Sequence, residues 1–195
     1  METAPSLRIE TPRLALRPLQ LKDARGMYAY RSDPKVTRFQ SWRPLKEEEV
    51  EAFIQKFGSG NLNVVDAWCQ IGVYRKTTQE LIGDIGMHFL PPDARQVEIG
   101  FTVNPQHHRR GYAAEAVGAL LSYLFECLHK HRIIASVDPR NIASIALLKK
   151  MGMRKEAHHI QSIWSPDGWC DDVVYALLRK EWKNTVAQEP KREKL

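Results

Sequence analysis

Apolar residues along this chain keep two different periods, and the switches between them divide it into elements. LALRPL (14–19) sets its leucines two apart, as a half-buried strand requires. LKDARGMYAYR (21–31) is expected to be a helix, with Asp23 near its start, where the helix dipole favours negative charge. KEEEVEAFIQKF (46–57) puts Val50, Phe53, Ile54 and Phe57 at i, i+3, i+4 and i+7, an apolar stripe opposite a charged face, and GSGN (58–61) breaks it. AWCQIGVYR (67–75), LIGDIGMHFL (81–90) and QVEIGFTV (96–103) are strand-like runs parted by the turn signals KTTQE and PPDA, the pattern of an antiparallel meander. In the last run Val97, Ile99, Phe101 and Val103 share one face, and Glu98, Gly100 and Thr102 the other.

AAEAVGALLSYLFECLHK (113–130) carries the strongest helical pattern, with Val117, Leu120, Leu121, Leu124 and Leu128 on its buried side. Cys127, three residues after Leu124, is expected in the same core. RIIASV (132–137) reads as a strand and ASIALLKKM (143–151) as a helix closed by Gly152. HIQSIW (159–164) and WCDDVVYALLRKEW (169–182) read as a hairpin around SPDG. This order predicts a single-domain α/β fold, a mixed and mostly antiparallel sheet flanked by helices.

The composition suits that fold. With 195 residues, 43% of them apolar and 27% charged, the chain is sized for one globular domain with a substantial core. No apolar run approaches the roughly 18 to 20 residues that span a bilayer. The opening METAPSLRIETPR has no apolar signal region, so a cytoplasmic protein without membrane contact is expected. Cys69, Cys127 and Cys170 are far apart and form no CxxC pair, which fits reduced thiols and no zinc site. The net charge is +6, and half of the excess lies in residues 179–195. Residues 183–195 are expected to be a solvated basic tail, with RNA or ribosome contact through it as the rival. The remaining body is only mildly basic, which suits a polyanionic small ligand better than nucleic acid.

HHRRGYAAEA (107–116) concentrates the candidate chemistry between a strand and a helix. As a nucleic-acid patch it is short and has no aromatic stacking series. As a metal site it fails on spacing, since His107 and His108 are adjacent and no cysteine or carboxylate sits at ligand distance, so no metal is expected. A phosphate cradle fits best. A helix start presents unpaired N–H groups and about half a positive charge, and Gly111, Ala113 and Ala114 leave them accessible. Arg109 and Arg110 add fixed charge.

His108-Arg109-Arg110-Gly111-Tyr112-Ala113 resembles the acetyl-coenzyme A pyrophosphate loop of the GNAT N-acetyltransferases, Gln/Arg-x-x-Gly-x-Gly/Ala. It matches at Gly111 and Ala113, and departs at His108 and at Arg109, where glycine is frequent. IETPRLALRPLQLKDA (9–24), DPKVTRFQSW (33–42) and the segment 46–57 resemble the RimJ/RimL-type branch. So do LIGDIGMHFL and VEIGFTVNP as central strands, DPRNIASIALLKKMGM (138–153) as an Asn-x-x-Ser segment, and GWCDDVVYALLRKEW as the closing strand. The likeness covers about residues 7–182, the expected domain.

The resemblance implies an acetyl-coenzyme A-dependent N-acetyltransferase. Backbone groups of Phe101, Thr102 and Val103 would pair with the pantetheine arm, as an added strand pairs with a sheet edge. The loop from His108 through Arg109, Arg110, Gly111, Tyr112, Ala113 and Ala114 would hold the pyrophosphate. Asn141 would bind the pantetheine side and Ser144 would stand near the thioester sulfur, although both also read as helix-capping residues. An amine would attack directly, without a covalent enzyme intermediate. An α-amine of pKa about 8 is already about 10% neutral at pH 7, against about 0.04% for a lysine, so one carboxylate acting through water suffices.

Glu98 is the candidate base, against the plainer reading of a strand residue paired with an arginine. Many family members carry a tyrosine acid where this chain has Leu148, which moves that role to Ser144 or to no residue. The same loss supports a rival function, a non-catalytic acyl-coenzyme A-binding or sensing module. The acceptor stays open between a protein N-terminal amine, including that of a ribosomal protein, and a small amine such as an aminoglycoside, polyamine or amino acid derivative. Helix 46–57 would wall the acceptor site, with its glutamates facing either a cationic acceptor or solvent. Monomer and homodimer are equally open, and the three cysteines read as bystanders.

Overall fold

Eight strands make one sheet in the order β1-β2-β3-β4-β5-β6-β8-β7. They are β1 (Ile9–Glu10), β2 (Leu14–Pro18), β3 (Ala67–Arg75), β4 (Leu81–Leu90), β5 (Gln96–Val103), β6 (Arg132–Val137), β7 (Arg154–Ser165) and β8 (Gly168–Leu178). The helices are α1 (Ala24–Arg31), α2 (Pro34–Thr37), α3 (Glu47–Phe57), α4 (Tyr112–Ser122) and α5 (Ile142–Lys150). This computed structural model describes residues 7–40, 42–58, 62–165 and 168–182. The tail expected at 183–195, most of GSGN and the centre of SPDG lie outside the described residues. Among the described residues no helix is long and apolar enough to cross a membrane.

Every strand pairing is antiparallel except β5 with β6. A parallel neighbour needs a crossover, and α4 makes it. Val117, Leu120, Leu121 and Leu124 are fully buried in the same core as Ile71, Ile85, Val97 and Ile99 from the central strands. The opposite face carries a smaller core of Leu19, Met27, Tyr30, Val50 and Ile54, brought by α1 and α3.

β5 and β6 pair only at Gln96–Arg132, Val97–Ile133 and Glu98–Ile134. Beyond that point β5 continues to Val103 on β4, and β6 continues to Val137 on β8. The two strands part, and the sheet opens as a wedge with Glu98 at the last paired position.

On the polar face, Asp84 of β4 is completely buried. It accepts from Tyr30 Oη at 2.6 Å, from Arg31 Nε at 3.2 Å, and from Arg31 Nη2 and Gln70 Nε2. Arg31 also donates to Gln40 Oε1 at 3.1 Å, which ties the segment after α2 to the same carboxylate. Burial pushes the Tyr30 phenol well up, and the adjacent carboxylate adds to the effect, so Tyr30 stays a donor.

Several elements differ from the sequence pattern. The first helix begins with a 3-10 turn, Leu21–Asp23, because the Asp23 carboxylate accepts from Gln20 N and from Tyr74 Oη and anchors that turn to β3. The long helix at 113–130 ends its regular part at Ser122 and continues as a π-helical turn, Tyr123–Cys127. Leu128 N bonds Tyr123 O at 3.0 Å, one residue further than an α-helix allows. That extra residue rotates the end of the turn, so Cys127 is exposed rather than in the core, while Leu128 still packs against it. His129, with φ 54°, ends the turn. β7 starts at Arg154, well before 159, and residues 179–182 are helical rather than strand. β1 and α2 are additions to the expected set.

Asp84→Ala should cost about 3–5 kcal/mol, since it strands the buried Arg31 guanidinium without a partner. Denaturant unfolding of the variant measures that loss.

Candidate active site

Two cavities meet at the wedge. One, of about 530 Å³, is lined by Phe101, Thr102 and Val103, by His108, Arg109 and residues 111–114, and by Asn141 and Ser144. The other, of about 540 Å³, is lined by Glu98, Gly100, Gly86, Trp68, Trp42 and Phe53 among others. Phe39 and Gln40 line both.

The first cavity is shaped by a short loop. Asn104 Oδ1 accepts from Gln106 N at 3.0 Å and starts a 3-10 turn, Pro105–His107. His107 is buried, with Nε2 3.1 Å from Glu80 Oε1. His108 Nε2 lies 2.8 Å from Val103 O, and since a carbonyl only accepts, that nitrogen carries the proton. Neither histidine is set up as a ligand pair. Arg109 (φ 59°) and Gly111 (φ 79°) both hold left-handed backbone, which curls the chain into the start of α4. Gly111 is the N-cap and offers no side chain, so the first N–H groups of α4 keep no side-chain cap. Arg110 differs from its neighbours: it does not line the cavity, and its carbonyl accepts from Arg13 Nη1 at 3.0 Å.

That last contact belongs to a cluster the local pattern did not mark. Glu115 on α4 accepts from Thr11 Oγ1 at 2.6 Å, Arg13 N at 2.9 Å and Arg13 Nε at 2.6 Å. Arg13 lies over the Tyr112 ring, 4.6 Å from its centre. Burial alone would raise the Glu115 carboxyl, but these donors outweigh it and hold the group below its ordinary value. The partners are more than 100 residues apart, so only the folded chain reveals them.

Along β5 the wedge exposes one edge of Phe101–Val103, because β4 uses only the other. Thr102 Oγ1 is buried and has no hydrogen-bond partner among the described residues. Asn141 is the N-cap of α5, and its Oδ1 accepts from Ser144 N at 3.2 Å, so the capping reading of this pair holds. Both residues still line the first cavity. Leu148 is buried in the core and leaves its helix position without an acid.

Glu98 is half-buried and lines the second cavity, with no ion pair to an arginine among the described residues. Burial raises its pKa, His88 beside it works the other way, and Asp172 adds to the rise. Register places Trp68, His88 and Glu98 side by side across β3, β4 and β5, with Trp68 stacked on His88 at 4.7 Å. Helix α3 presents Phe53 and Phe57 to this cavity, whereas Glu47, Glu48 and Glu49 do not line it. Burial lifts the Cys69 thiol to about 11, which removes it as a nucleophile. Cys170 lines the second cavity, with Sγ 3.2 Å from Arg140 Nη2.

The model of the acetyltransferase (GNAT) domain matches residues 13–154. The chain belongs to this family. A relative from Bacillus subtilis strain 168, the uncharacterized N-acetyltransferase YnaD, is 34% identical over 176 residues, covering 90% of this chain and 99% of its own. A solved GNAT acetyltransferase from Bacillus anthracis superposes with a TM-score of 0.80 at 30% identity, covering 90% of this chain and 100% of its own. The ribosomal protein uS5 alanine N-acetyltransferase of Escherichia coli K12 is 24% identical over 183 residues, 91% of this chain and 94% of its own. The protein is an N-acetyltransferase, and GNAT enzymes use acetyl-coenzyme A.

Glu115→Gln should destabilise the protein by about 1.5–3 kcal/mol, the value of hydrogen bonds to a charged group. Because the folded carboxyl sits below its ordinary value, its contribution is present at neutral pH and is lost as pH falls through that lowered value. Unfolding curves of the two proteins should therefore converge in acid.

Proposed function

We propose that this enzyme transfers an acetyl group from acetyl-coenzyme A to a primary amine by direct attack, and that it sits in the RimJ/RimL-type branch. The observation that carries the reading is the meeting of two cavities at the parting of β5 and β6, with Glu98 lining one and an uncapped helix start lining the other. The N-terminal segments and the likeness to the uS5 acetyltransferase support the branch.

The residues present fit the coenzyme. An unpaired strand edge suits an extended amide-bearing arm, and the unsatisfied Thr102 hydroxyl lies on the same segment. Left-handed Gly111 and the bare N–H groups of α4 suit a diphosphate. When bound, acetyl-coenzyme A supplies a thioester carbonyl that an amine attacks directly, with the coenzyme leaving as free thiol. Phe101, Thr102 and Val103 would hold the arm. His108, Arg109 and residues 111–114 would hold the diphosphate, with Arg110 adding charge from outside the cavity. His108 would act by fixing the Val103 carbonyl through its Nε2. Asn141 would meet the arm with its amide nitrogen, its oxygen being committed to the cap. Ser144 would supply the proton for the leaving thiol.

Glu98 would take the proton from the amine, directly or through one water. Its burial helps, since a raised carboxyl pKa makes a stronger base. The same shift gives the pH dependence its sign. As pH falls through the raised Glu98 value the base is protonated, so rate is lost above the ordinary carboxylate range.

Release of free thiol from acetyl-coenzyme A in the presence of amines and peptides tests the reaction; no release with any acceptor overturns it. On an accepted amine, Glu98→Gln should lower the rate about 10²–10⁴-fold near pH 7 and leave coenzyme affinity unchanged. The gap should close above the pKa of the amine, where no base is needed. An unaltered pH profile removes Glu98 from the reaction. Gly111→Val forces a branched residue to hold φ 79° and brings its Cβ to 3.3 Å from Arg13. The branched side chain would also block the approach of a diphosphate to the backbone, so coenzyme affinity measured by calorimetry should fall about tenfold.

A further inference from the structure

The second cavity has an unusual floor. Gly86 and Gly100 pair across β4 and β5, and of the two only Gly100 presents bare backbone to the space. A Cβ at Gly100 would meet nothing within 4 Å, and one at Gly86 would strike Gln70 at 2.7 Å and approach Trp68 at 3.6 Å. Gly100 therefore leaves an open shelf, bordered by the Gln70 side chain, which covers Gly86, and by the Trp68 ring. Above it, Trp42 and Phe53 lie stacked at 4.5 Å and 12°, and Trp164 from β7 also lines the space. Trp68 is 43% exposed and Trp164 68% exposed, so both rings have faces free for contact.

The charges around the shelf are mostly committed. Asp138 is bound by Arg140, Asp171 pairs with His158, and buried Asp172 accepts from Ser136 Oγ at 2.5 Å. Glu98 is the carboxylate of this cavity with no hydrogen-bond partner among the described residues. Asp172 keeps its charge but is buried against Ser136, so Glu98 is the carboxylate left open to an ammonium, and the aromatic-walled shelf beside it suits one flat apolar group. A polyamine would need several free carboxylates, and a small aliphatic chain would leave the rings unfilled.

We propose that the acceptor is a primary amine carrying a single aromatic group, with the ring over Gly100 beside Trp68 and the nitrogen at Glu98. This rests on the acetyltransferase reading and gives its acceptor a chemical class. The cavity of about 540 Å³ holds a one- or two-ring amine. The same chemistry has two sources, a free arylalkylamine or the N-terminus of a peptide that begins with phenylalanine or tryptophan.

Thiol release at fixed acetyl-coenzyme A should be followed with phenethylamine, tryptamine, butylamine, spermidine, and peptides led by phenylalanine or by alanine. Aryl acceptors should exceed butylamine and spermidine in kcat/KM by about tenfold or more. Free arylamines ahead of the phenylalanine-led peptide mark a small-molecule source, and the reverse order marks a peptide source. Gly100→Val, whose Cβ enters open space on a strand that favours valine, should raise KM for the aryl acceptor about tenfold with coenzyme affinity unchanged. Preference for spermidine or the alanine-led peptide overturns the inference while the acetyltransferase reading stands. An unchanged aryl KM in Gly100→Val overturns it as well. If no amine releases thiol, the acetyltransferase reading fails. Calorimetry of phenethylamine on coenzyme-loaded protein then decides: saturable binding lost in Gly100→Val supports the shelf, and absent binding overturns it.

Discussion

A strand in the middle of a sheet normally has both edges paired, because an unpaired backbone group away from water is costly. β5 breaks that rule because of its neighbours. β4 holds it straight to Val103, β8 holds β6 straight to Val137, and the two can share only the pairs up to Glu98–Ile134. His108 meets the Val103 carbonyl, and the rest of that edge must be satisfied by solvent or by a ligand. The connection from β5 to α4 is short, so the start of α4 returns to the mouth of the same wedge. Donors of the strand edge and donors of the helix start therefore converge without any special side chain.

The two faces of the sheet divide the work. The apolar face is closed by α4 into a continuous core, which fixes the strands. The polar face carries the rows Trp68–His88–Glu98, Gln70–Gly86–Gly100 and Gly72–Asp84–Thr102. The last row is anchored by Arg31 and Tyr30, the middle row runs from Gln70, which braces Asp84 and covers Gly86, to open Gly100, and the first ends in the candidate base. Rigidity and open space alternate within a few residues of the same strands. The Glu115 cluster adds a second anchor by tying the start of α4 to the residues before β2.

Periodicity made the central strands, α3, the core face of α4 and the helix after β6 legible, because in each the burial is set by the local pattern alone. What it missed depends on distant partners. The π-turn comes from an i+5 bond that no residue type announces, and it carried Cys127 from the core to the surface. The phosphate-cradle motif was visible, but not that Arg110 lies outside the cavity lining with its carbonyl bound by Arg13. Asn141 and Ser144 were legible as caps, and their place beside the cavity came from the same helix start. The acidic face of α3 suggested a cationic acceptor, but helix rotation turned its phenylalanines to the cavity. The open surface at Gly100 needed strand register, which sets Gln70, Gly86 and Gly100 in one row that no sequence window contains.

The aromatic walls also bear on the chemistry of the base. Taking a proton from an ammonium of pKa near 8–10 to a carboxylate near 4 is uphill, by about 1.4 kcal/mol for each unit between them. Loss of water raises a carboxyl pKa and lowers an ammonium pKa, so one dry environment moves the two toward each other. Glu98 is already shifted in that direction by its burial. An ammonium brought to Glu98 within the same aromatic-lined cavity meets the opposite shift. A cavity that selects a flat apolar body thereby narrows the proton-transfer gap, and recognition and base strength come from the same set of rings.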